Sequence, residues 1–298
     1  MTLKMHSDQV DVDVVTVASL VADALPGSRG AEIRPVPSHG TVNALFRVGD
    51  DLVARFPLQP DASAEFRAEL SERIALAHRL AERLPLAIPE PVAVGEPGPG
   101  YPGLWTVHRW LPGATADTVP FRDPVAAAHR LAEFVSALRA VGNDGRGWPG
   151  VGRGGPLADH DAAVTDALAR SGHLIDTAPI ERLWRRCVAA PAYSGTPARI
   201  HADLMPGNLL VRDGELVGVL DFEIAGIGDP AVDMLAAWTV WSGEARKAYR
   251  HGLAADDEEW LRGRGWAVLQ AIMALPYYVE TNPMMARIAR RTLEALRD

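Results

Sequence analysis

The chain has 298 residues, 48% of them hydrophobic, and a formal net charge of −8. This length can bury a sizeable core and favours two lobes over one small module, and the negative charge disfavours nucleic acid as a partner. The single cysteine, Cys187, excludes an internal disulfide framework and is compatible with a reducing compartment. Residues 1–15 lack the basic stretch and apolar core of a signal peptide, and no apolar run is long enough for a membrane span. We therefore expect a cytoplasmic protein with no membrane partner.

The N-terminal part of the chain is predicted to form strands with one helix. Asn43–Val48 and Leu52–Pro57 are β-like runs on either side of the hairpin turn Gly49–Asp51. Residues 62–84 are rich in Ala, Glu, Arg and Leu, and their leucines recur on one helical face. They predict an amphipathic helix that ends at Pro85.

The middle of the chain continues with a strand and a helix. Residues 105–113 are typical of an apolar strand that runs into a connector. Asp123 and Pro124 give the cap and first-turn signals of a helix that extends to Val141. The segments 234–241 and 260–275 are rich in Trp, Met, Leu and Ala, and we assign them to the core because an apolar helical stripe is more often core than pocket lining.

The most informative segment is the run His201-Ala202-Asp203-Leu204-Met205-Pro206-Gly207-Asn208. In the kinase signature H-R-D-L-x-x-x-N, the Asp orients or receives the proton of the substrate hydroxyl, and the Asn five residues later holds a magnesium ion. Asp203 and Asn208 have this spacing. The pattern predicts Asp203 as the catalytic base and Asn208 as a metal ligand.

A second carboxylate follows on a predicted hairpin. Residues 209–211 and 216–220 form two short apolar strands, and the Asp-Gly turn at residues 212–215 joins them. This hairpin would bring Asn208 and Asp221 side by side. Magnesium held between a protein and phosphates prefers oxygen ligands, so Asp221 is predicted to be the second metal ligand.

These residues and their continuation resemble the aminoglycoside phosphotransferase family of antibiotic kinases, which is similar to macrolide and choline kinases. The family pattern is H-G-D-L-x-x-x-N, an apolar hairpin, and then D-[FW]-x-x-[AS]-x-x-G-D-P-x-x-D, which the chain follows through Asp229-Pro230 to Asp233. The resemblance implies an α+β, two-lobed protein-kinase-like fold. Residues 1–111 would form a small nucleotide-binding lobe with an antiparallel sheet and one helix, and residues 112–298 a larger, mainly helical lobe for catalysis and acceptor binding.

The resemblance also implies roles for the residues that hold the nucleotide. Arg55 stands where kinases place the strand Lys that contacts the α- and β-phosphates, and a helix Glu usually holds that cation. Glu69 and Glu72 share one helical face, so either could pair with Arg55, and we favour Glu72.

Two further contacts with the nucleotide are expected from loops. The segment Pro37–Asn43 has one glycine, and Ser38 and Thr41 could donate to phosphate oxygens without a glycine-rich loop. By resemblance to the family's interlobe connector, the carbonyl of Arg109 and the amide of Leu111 would hydrogen-bond the purine. Because these contacts are made by the main chain, the side chains at these positions do not indicate whether the nucleotide is ATP or GTP.

The chain departs from the family pattern at two positions. Ala202 stands where the family usually has Gly, which we expect to be tolerated if the φ angle of residue 202 is negative. Glu223 stands where protein kinases have the Gly of D-F-G, which argues against a flip of that segment. Asp229 and Asp233 are interpreted as structural residues, a turn Asp before Pro230 and a buried partner of the catalytic loop.

A negatively charged protein suits a cationic acceptor. Candidate contacts are an acidic cluster at residues 159–166, the acidic run 256–259, and Glu280 beside Tyr277 and Tyr278. Each acidic run is by default a solvated face or a helix cap. We favour Glu280, with Tyr278 beside it, because family members place C-terminal helices over the acceptor pocket.

The resemblance therefore implies a magnesium-dependent kinase that transfers the γ-phosphoryl group of ATP or GTP to a hydroxyl of an aminoglycoside-like antibiotic. Two alternatives remain open at this point. One is a kinase of a macrolide or of a primary metabolite such as a sugar or an amino alcohol. The other is a catalytically silent, nucleotide-binding relative.

Overall fold

The computed structural model describes residues 9–36 and 42–297. The chain divides into two compact units. The first contains the described residues up to Glu82 together with Ala87–Pro112, and the second contains Arg83–Leu86 and Gly113 onward.

The first unit is an antiparallel sheet with helices. In chain order its elements are α1 (Val14–Ala24), β1 (Ile33–Pro35), β2 (Asn43–Val48), β3 (Leu52–Pro57), α2 (Ala64–Ala81), β4 (Pro91–Gly95) and β5 (Trp105–Arg109). In the described part of the unit the five strands are arranged in the order β1-β2-β3-β5-β4, and every neighbouring pair is antiparallel.

The hairpin β2–β3 has the bounds that the sequence predicts, with Val48 opposite Leu52 at its turn. The sequence pattern predicts one helix in this part of the chain, whereas the structure also has α1. Asp13 caps α1 by accepting the N–H of Thr16 at 2.7 Å. Val17 and Val21 of the helix are buried in one core cluster with Phe56 of β3. Burial of this apolar face stabilises a helix that has only eleven residues.

The predicted amphipathic helix is α2, but it is shorter than expected at both ends. Ser63 is the cap and accepts the N–H of Phe66 at 3.2 Å, and the helix ends at Ala81. Pro85 disfavours helical geometry at Leu84, so the helix has to end before that residue.

The second unit is mainly helical. Its elements are β6 (Ala114–Thr115), α3 (Pro124–Ala140), α4 (Asp161–Ser171), α5 (Ala178–Val188), β7 (Ala198–Ile200), β8 (Leu209–Arg212), β9 (Glu215–Val219), β10 (Gly226–Gly228), α6 (Ala236–Thr239), α7 (Gly243–Gly252), α8 (Asp257–Tyr278) and α9 (Pro283–Ala295). Short 3-10 turns lie at Leu157–His160, Pro206–Asn208 and Pro230–Leu235.

Two small sheets position the kinase-like sequence motifs in the second unit. β8 and β9 form the predicted hairpin, and β6 pairs with the other edge of β8. β7 and β10 form a separate antiparallel pair, in which Ile200 lies opposite Gly226. Around them lies a core that includes Met234, Trp238 and Trp266, so the assignment of these segments to the core is confirmed. Within residues 9–36 and 42–297, no helix combines the length and the apolarity that a membrane crossing needs.

Candidate active site

The segment His201–Asn208 connects β7 to β8, and we call it the catalytic loop after the role that its sequence predicts. Its end is a 3-10 turn in which the N–H of Asn208 donates to the carbonyl of Met205 at 2.9 Å. Thr239 of α6 donates its hydroxyl to the carbonyl of Leu204 at 2.9 Å. The loop is thus held both by its own turn and by a neighbouring helix.

Asp233 anchors the start of the loop. Its carboxylate is fully buried and accepts the N–H of His201 at 3.0 Å and the N–H of Ala202 at 2.8 Å. Burial raises the pKa of the Asp233 carboxyl, and the neighbouring imidazole of His201 and the two backbone N–H donors oppose that rise. The hydroxyl of Tyr249 also donates to the carbonyl of Asp233 at 2.9 Å. The predicted role of Asp233 as a buried partner of the catalytic loop is confirmed.

Asp229 has the predicted structural role at the turn before Pro230. Its carboxylate accepts the N–H of Ala231 at 2.9 Å and forms a buried ion pair with Arg262 at 2.8 Å. It therefore fixes the 3-10 turn that carries Asp233.

Ala202 does not have the negative φ angle that the sequence analysis required. Its φ angle is +69°, in the left-handed region. An L-residue with a Cβ is strained there, whereas Gly is not. The two hydrogen bonds from residues 201 and 202 to Asp233 hold this geometry, so the Gly of the family pattern matches the backbone better than the Ala of this chain.

His201 adopts one defined tautomer. Its Nε2 lies 2.9 Å from the carbonyl oxygen of Leu220 and must donate, while its Nδ1 accepts the N–H of Asp203 at 3.2 Å. The ring is fully buried and contacts Phe222 edge to face, with centroids 4.7 Å apart. His201 therefore links the catalytic loop to the end of β9 through these two hydrogen bonds.

Asp203 and Asn208 meet as the signature predicts. Nδ2 of Asn208 donates to the backbone carbonyl of Asp203 at 2.8 Å and to Oδ2 of its carboxylate at 3.0 Å. The amide oxygen of Asn208 takes no part in these two bonds, so it is the atom that remains for a cation.

Two residues outside the set predicted from the sequence hold the other carboxylate oxygen of Asp203. Nη1 of Arg153 lies 2.8 Å from Oδ1, and Nε2 of Gln270 donates to the same atom at 2.7 Å. Arg153 also donates to the carbonyl of Ala202. Arg153 lies in a glycine-rich loop and Gln270 in the middle of α8, and nothing in the local pattern of either segment points to Asp203.

Asp221 follows β9, at the same end of the hairpin as Asn208. The N–H of Leu220 donates to the carbonyl of Asn208 at 2.8 Å, which places the two metal-ligand candidates on adjacent backbones. Asp221 has a φ angle of +62°, and its Oδ1 accepts the N–H of Glu223 at 3.3 Å. A non-glycine residue in this conformation is frequent at functional sites.

The oxygen atoms of Asn208 and Asp221 fit a magnesium ion. In the described residues no group of three His, Cys, Asp or Glu side chains forms a metal cage. Magnesium does not need one, because it is commonly held by one or two protein oxygens together with waters and phosphate oxygens.

The residues predicted to bind the nucleotide lie in the first unit. Arg55 is a half-buried residue of β3, opposite Leu45 on one side and Thr106 on the other. Glu69 and Glu72 are on α2, and Glu69 lies 3.9 Å from Arg73 in an exposed ion pair. The pairing of Arg55 with Glu72 stays a prediction.

Arg109 and Leu111 lie at the end of β5 and just after it. The N–H of Arg109 donates to the carbonyl of Glu90 at 2.8 Å, and the N–H of Trp110 donates to the carbonyl of Asp51 at 2.7 Å. The carbonyl of Arg109 and the N–H of Leu111 are not used in these two bonds. Ser38, the remaining predicted phosphate contact, lies outside the described residues, as does Thr41.

The C-terminal candidates for acceptor binding follow Gln270 along α8. Burial is the main cause that raises the pKa of the Tyr278 hydroxyl, and Tyr277 and the charge of Asp203 raise it further. Tyr278 therefore lies within electrostatic reach of Asp203. Glu280 is exposed in the turn after the helix. The acceptor-binding roles of Tyr278 and Glu280 both stay predictions.

Most residues of the two acidic runs have partners within the protein. Asp161 accepts the indole N–H of Trp184 at 2.8 Å, Asp166 pairs with Arg170 at 2.8 Å, and Glu259 pairs with Arg139 at 2.8 Å. In addition, Asp256 caps α8 and Asp257 pairs with Arg250. These contacts agree with the default interpretation of the runs as caps and ion-paired faces.

The loop His201–Asn208, the β8–β9 hairpin and the two-unit fold have the arrangement of a kinase-like fold, and the sequence comparison agrees with it. The chain belongs to the phosphotransferase enzyme family, whose family-wide sequence profile matches residues 32–272. The family resemblance and the fold class derived from the motifs are therefore confirmed.

Individual relatives are distant. A homoserine kinase from Granulibacter bethesdensis is 30% identical over 188 residues, which are 59% of this chain and 54% of that protein. A second homoserine kinase, from Gluconacetobacter diazotrophicus, is 30% identical over 48% of this chain and 41% of its own length. The chain thus spans about half the length of the curated relatives it matches.

Solved structures with the same fold cover nearly the whole chain. The GDP complex of aminoglycoside 2'-phosphotransferase-IIIa has a TM-score of 0.71 at 20% identity and covers 96% of this chain and 99% of its own. A macrolide 2'-phosphotransferase from Brachybacterium faecium has a TM-score of 0.60 at 21% identity, with 94% of this chain and 97% of its own covered. At this level of identity the likeness establishes the fold.

Proposed function

We propose that this chain is a magnesium-dependent O-phosphotransferase that moves the γ-phosphoryl group of ATP or GTP to a hydroxyl of a small molecule. The observation that carries the proposal is the carboxylate of Asp203. It is held by Asn208 on one oxygen, and it projects from a loop that His201 and Asp233 fix. Family membership supports the same reaction class.

In the proposed reaction the hydroxyl oxygen of the acceptor forms a bond to the γ-phosphorus. The bond between this phosphorus and the bridging oxygen breaks, and the nucleoside diphosphate leaves with the electron pair. The proton of the hydroxyl passes to the carboxylate of Asp203, which first orients the hydroxyl for attack. Asn208 keeps Oδ2 of the carboxylate in position, and Arg153 and Gln270 keep Oδ1 in position.

Asn208 and Asp221 are the proposed ligands of magnesium. When bound, the ion would neutralise the negative charge that develops on the phosphate oxygens. We assign Arg55 to phosphate neutralisation, with Glu72 as its partner, and Ser38 as a further phosphate donor. Main-chain groups of Arg109 and Leu111 are the proposed contacts of the purine. GDP in the structure of the fold neighbour aminoglycoside 2'-phosphotransferase-IIIa supports a nucleoside triphosphate as donor.

An aminoglycoside-like antibiotic is the first candidate acceptor. The net charge of −8 and the name of the fold neighbour aminoglycoside 2'-phosphotransferase-IIIa support it, with Glu280 and Tyr278 as proposed contacts. A hydroxylated primary metabolite is the second candidate. It is favoured by the two homoserine kinase relatives and by the side chains that contact Asp203, which are cationic or neutral.

Replacement of Asp203 by Asn tests the catalytic assignment. We expect Asp203→Asn to lower turnover by roughly 10²- to 10⁴-fold, the usual contribution of a general base, with nucleotide affinity nearly unchanged. The measurement is phosphate transfer in parallel with nucleotide titration calorimetry. Asp213→Asn, in the exposed turn of the same hairpin, is the matched control and should keep full activity. Retention of most activity by Asp203→Asn would exclude Asp203 as the base.

The same assay separates the enzyme from a silent relative. A silent relative would bind nucleotide without magnesium-dependent transfer to any acceptor, whereas the proposed enzyme forms a phosphorylated product.

A further inference from the structure

The side chains that contact the carboxylate of Asp203 have no negative charge. They are Arg153 and Gln270 on Oδ1 and Asn208 on Oδ2. The acceptor hydroxyl must approach the same carboxylate, so these side chains border the acceptor as well as the catalytic base. A polycationic acceptor would bring its ammonium groups towards the guanidinium of Arg153, which like charges disfavour.

Arg153 is held on a closely packed loop. The carbonyl of Gly154 accepts the N–H of Asp229 at 2.8 Å. A Cβ placed on Gly228 would lie 2.6 Å from the Cα of Gly154, so the two glycines permit a backbone contact that other residues would prevent. The position of Arg153 is therefore fixed by the β10 strand and not by Asp203 alone.

The guanidinium of Arg153 keeps donors for a second anion. Both of its hydrogen bonds in the described structure are made by Nη1, to Asp203 and to the carbonyl of Ala202. A guanidinium has five N–H groups, and the Nη2 and Nε atoms are not used in these bonds. The side chain is 29% exposed, which leaves its unused edge accessible to a ligand.

The side-chain amide of Gln270 has a buried oxygen to which no described residue donates a hydrogen bond. Its Nε2 faces Asp203, and this orientation of the amide is required because a carboxylate can only accept. The other amide atom, Oε1, is buried and has no hydrogen-bond partner among the described residues. A buried acceptor of this kind is costly unless a ligand or a water supplies an N–H or O–H.

We infer that the acceptor of this enzyme is a small hydroxy acid, whose carboxylate binds Arg153 and whose further N–H or O–H donor binds Oε1 of Gln270. A hydroxylated amino acid satisfies both groups. This inference rests on the proposed phosphotransferase function and selects among its acceptor classes. Most residues of the acidic runs that a polycationic acceptor would use, among them Asp166, Asp256 and Glu259, serve as helix caps or form ion pairs, which agrees with it.

A matched pair of acceptors tests the inference. L-Homoserine and its carboxamide differ only in the carboxylate, and kanamycin represents a polycation. In the wild type we expect kcat/KM for homoserine to exceed that for the amide by roughly 10- to 100-fold, the range that a charged hydrogen bond supports, and kanamycin to be a poor acceptor. In Arg153→Gln this ratio should fall close to one, mainly through a higher KM for homoserine.

A residue that only positions Asp203 would behave differently. Arg153→Gln would then lower turnover of both acceptors by the same factor and leave their ratio unchanged, which would overturn the inference. Arg153→Lys keeps the charge and should keep part of the preference for the carboxylate. The wild-type ratio tests the inference independently if a variant fails to fold.

The inference about the acceptor and the proposed phosphotransferase function are overturned by different results. Efficient transfer to kanamycin, or equal transfer to homoserine and its amide by the wild type, overturns the inference and leaves the phosphotransferase standing. No transfer from ATP or GTP to any of the three acceptors overturns the phosphotransferase assignment for this acceptor panel and the inference with it.

Discussion

Two non-glycine residues of the candidate site, Ala202 and Asp221, have a left-handed backbone conformation. Ala202, with a φ angle of +69°, precedes the proposed base, and Asp221, with a φ angle of +62°, is a proposed metal ligand. Such residues persist only where the surroundings impose the geometry. At Ala202 the surroundings are the two N–H bonds to the buried carboxylate of Asp233. The strain is therefore local, and it lies in the backbone that presents Asp203.

Replacing Ala202 by Gly should relieve this strain. A left-handed L-residue costs about 1–2 kcal/mol, and the greater freedom of Gly in the unfolded chain offsets part of the gain. We expect Ala202→Gly to raise the free energy of unfolding by about 1 kcal/mol, measured by urea denaturation, with activity retained. Ala137→Gly, at an ordinary position of α3, should lower it by about 1 kcal/mol. Equal destabilisation by both variants would show that residue 202 is not strained.

At the scale of elements, the site depends on contacts between short segments. The β8–β9 hairpin places Asn208 beside Leu220, and the glycine-rich loop meets β10 where Gly154 and Gly228 touch. The loop carries Arg153, and the residue that follows Gly228 is Asp229, which caps the turn that leads to Asp233. One glycine contact thus supports both the residue beside Asp203 and the anchor of its loop.

Replacing Gly228 by Ala should disturb this contact. The new Cβ would lie 2.6 Å from the Cα and 2.7 Å from the carbonyl oxygen of Gly154, so the loop must move. We expect Gly228→Ala to lower the free energy of unfolding by about 1–3 kcal/mol, as overpacking usually does, and to reduce transfer activity. Gly226→Ala, on the same strand, has no atom within 4 Å of the new Cβ and is the control. Similar midpoints of thermal unfolding for the two variants would contradict the proposed contact.

The elements with strong local signals could be predicted from the sequence. The Asp-Gly turn and its apolar flanks predict β8–β9, and Asp123-Pro124 predicts the start of α3. α1 was not predicted, although Asp13 and the spacing of its apolar residues were available as signals, because a short helix is stabilised mainly by packing.

In the candidate site, too, some residues could be predicted from a local sequence pattern and others could not. Asp203 and Asn208 lie five residues apart and were predicted together by their spacing, and the structure joins them. Arg153 and Gln270 are separated from Asp203 by 50 and 67 positions. No local pattern encodes contacts of this length, because they depend on how α8 and the glycine-rich loop pack in the folded unit.

At the scale of the whole molecule, the family match over residues 32–272 includes parts of both compact units. The proposed nucleotide residues are in the first unit and the proposed base and metal ligands in the second. Binding of nucleotide with magnesium should therefore stabilise the folded chain, because a ligand that binds only the native state shifts the unfolding equilibrium.

This stabilisation can be measured by thermal unfolding with and without magnesium. At a ligand concentration of about one hundred times Kd, we expect a gain of roughly 2.7 kcal/mol from the magnesium–nucleotide complex. Asp203→Asn should keep the gain, since Asp203 is assigned to the acceptor hydroxyl. Asn208→Ala and Asp221→Ala should lose the part that depends on magnesium. A magnesium-dependent shift in both of these variants equal to that of the wild type would remove them as metal ligands.

The most direct test of the account is phosphate transfer by the purified wild-type chain. ATP and GTP are supplied with magnesium to a panel of homoserine, simple amino alcohols, sugars, aminoglycosides and macrolides, and phosphorylated products are identified by mass spectrometry. The account predicts a product that carries one added phosphoryl group, formed only with magnesium, and a hydroxy acid as the preferred acceptor. Nucleotide binding without transfer to any member of the panel would contradict the assignment of Asp203 as a working base.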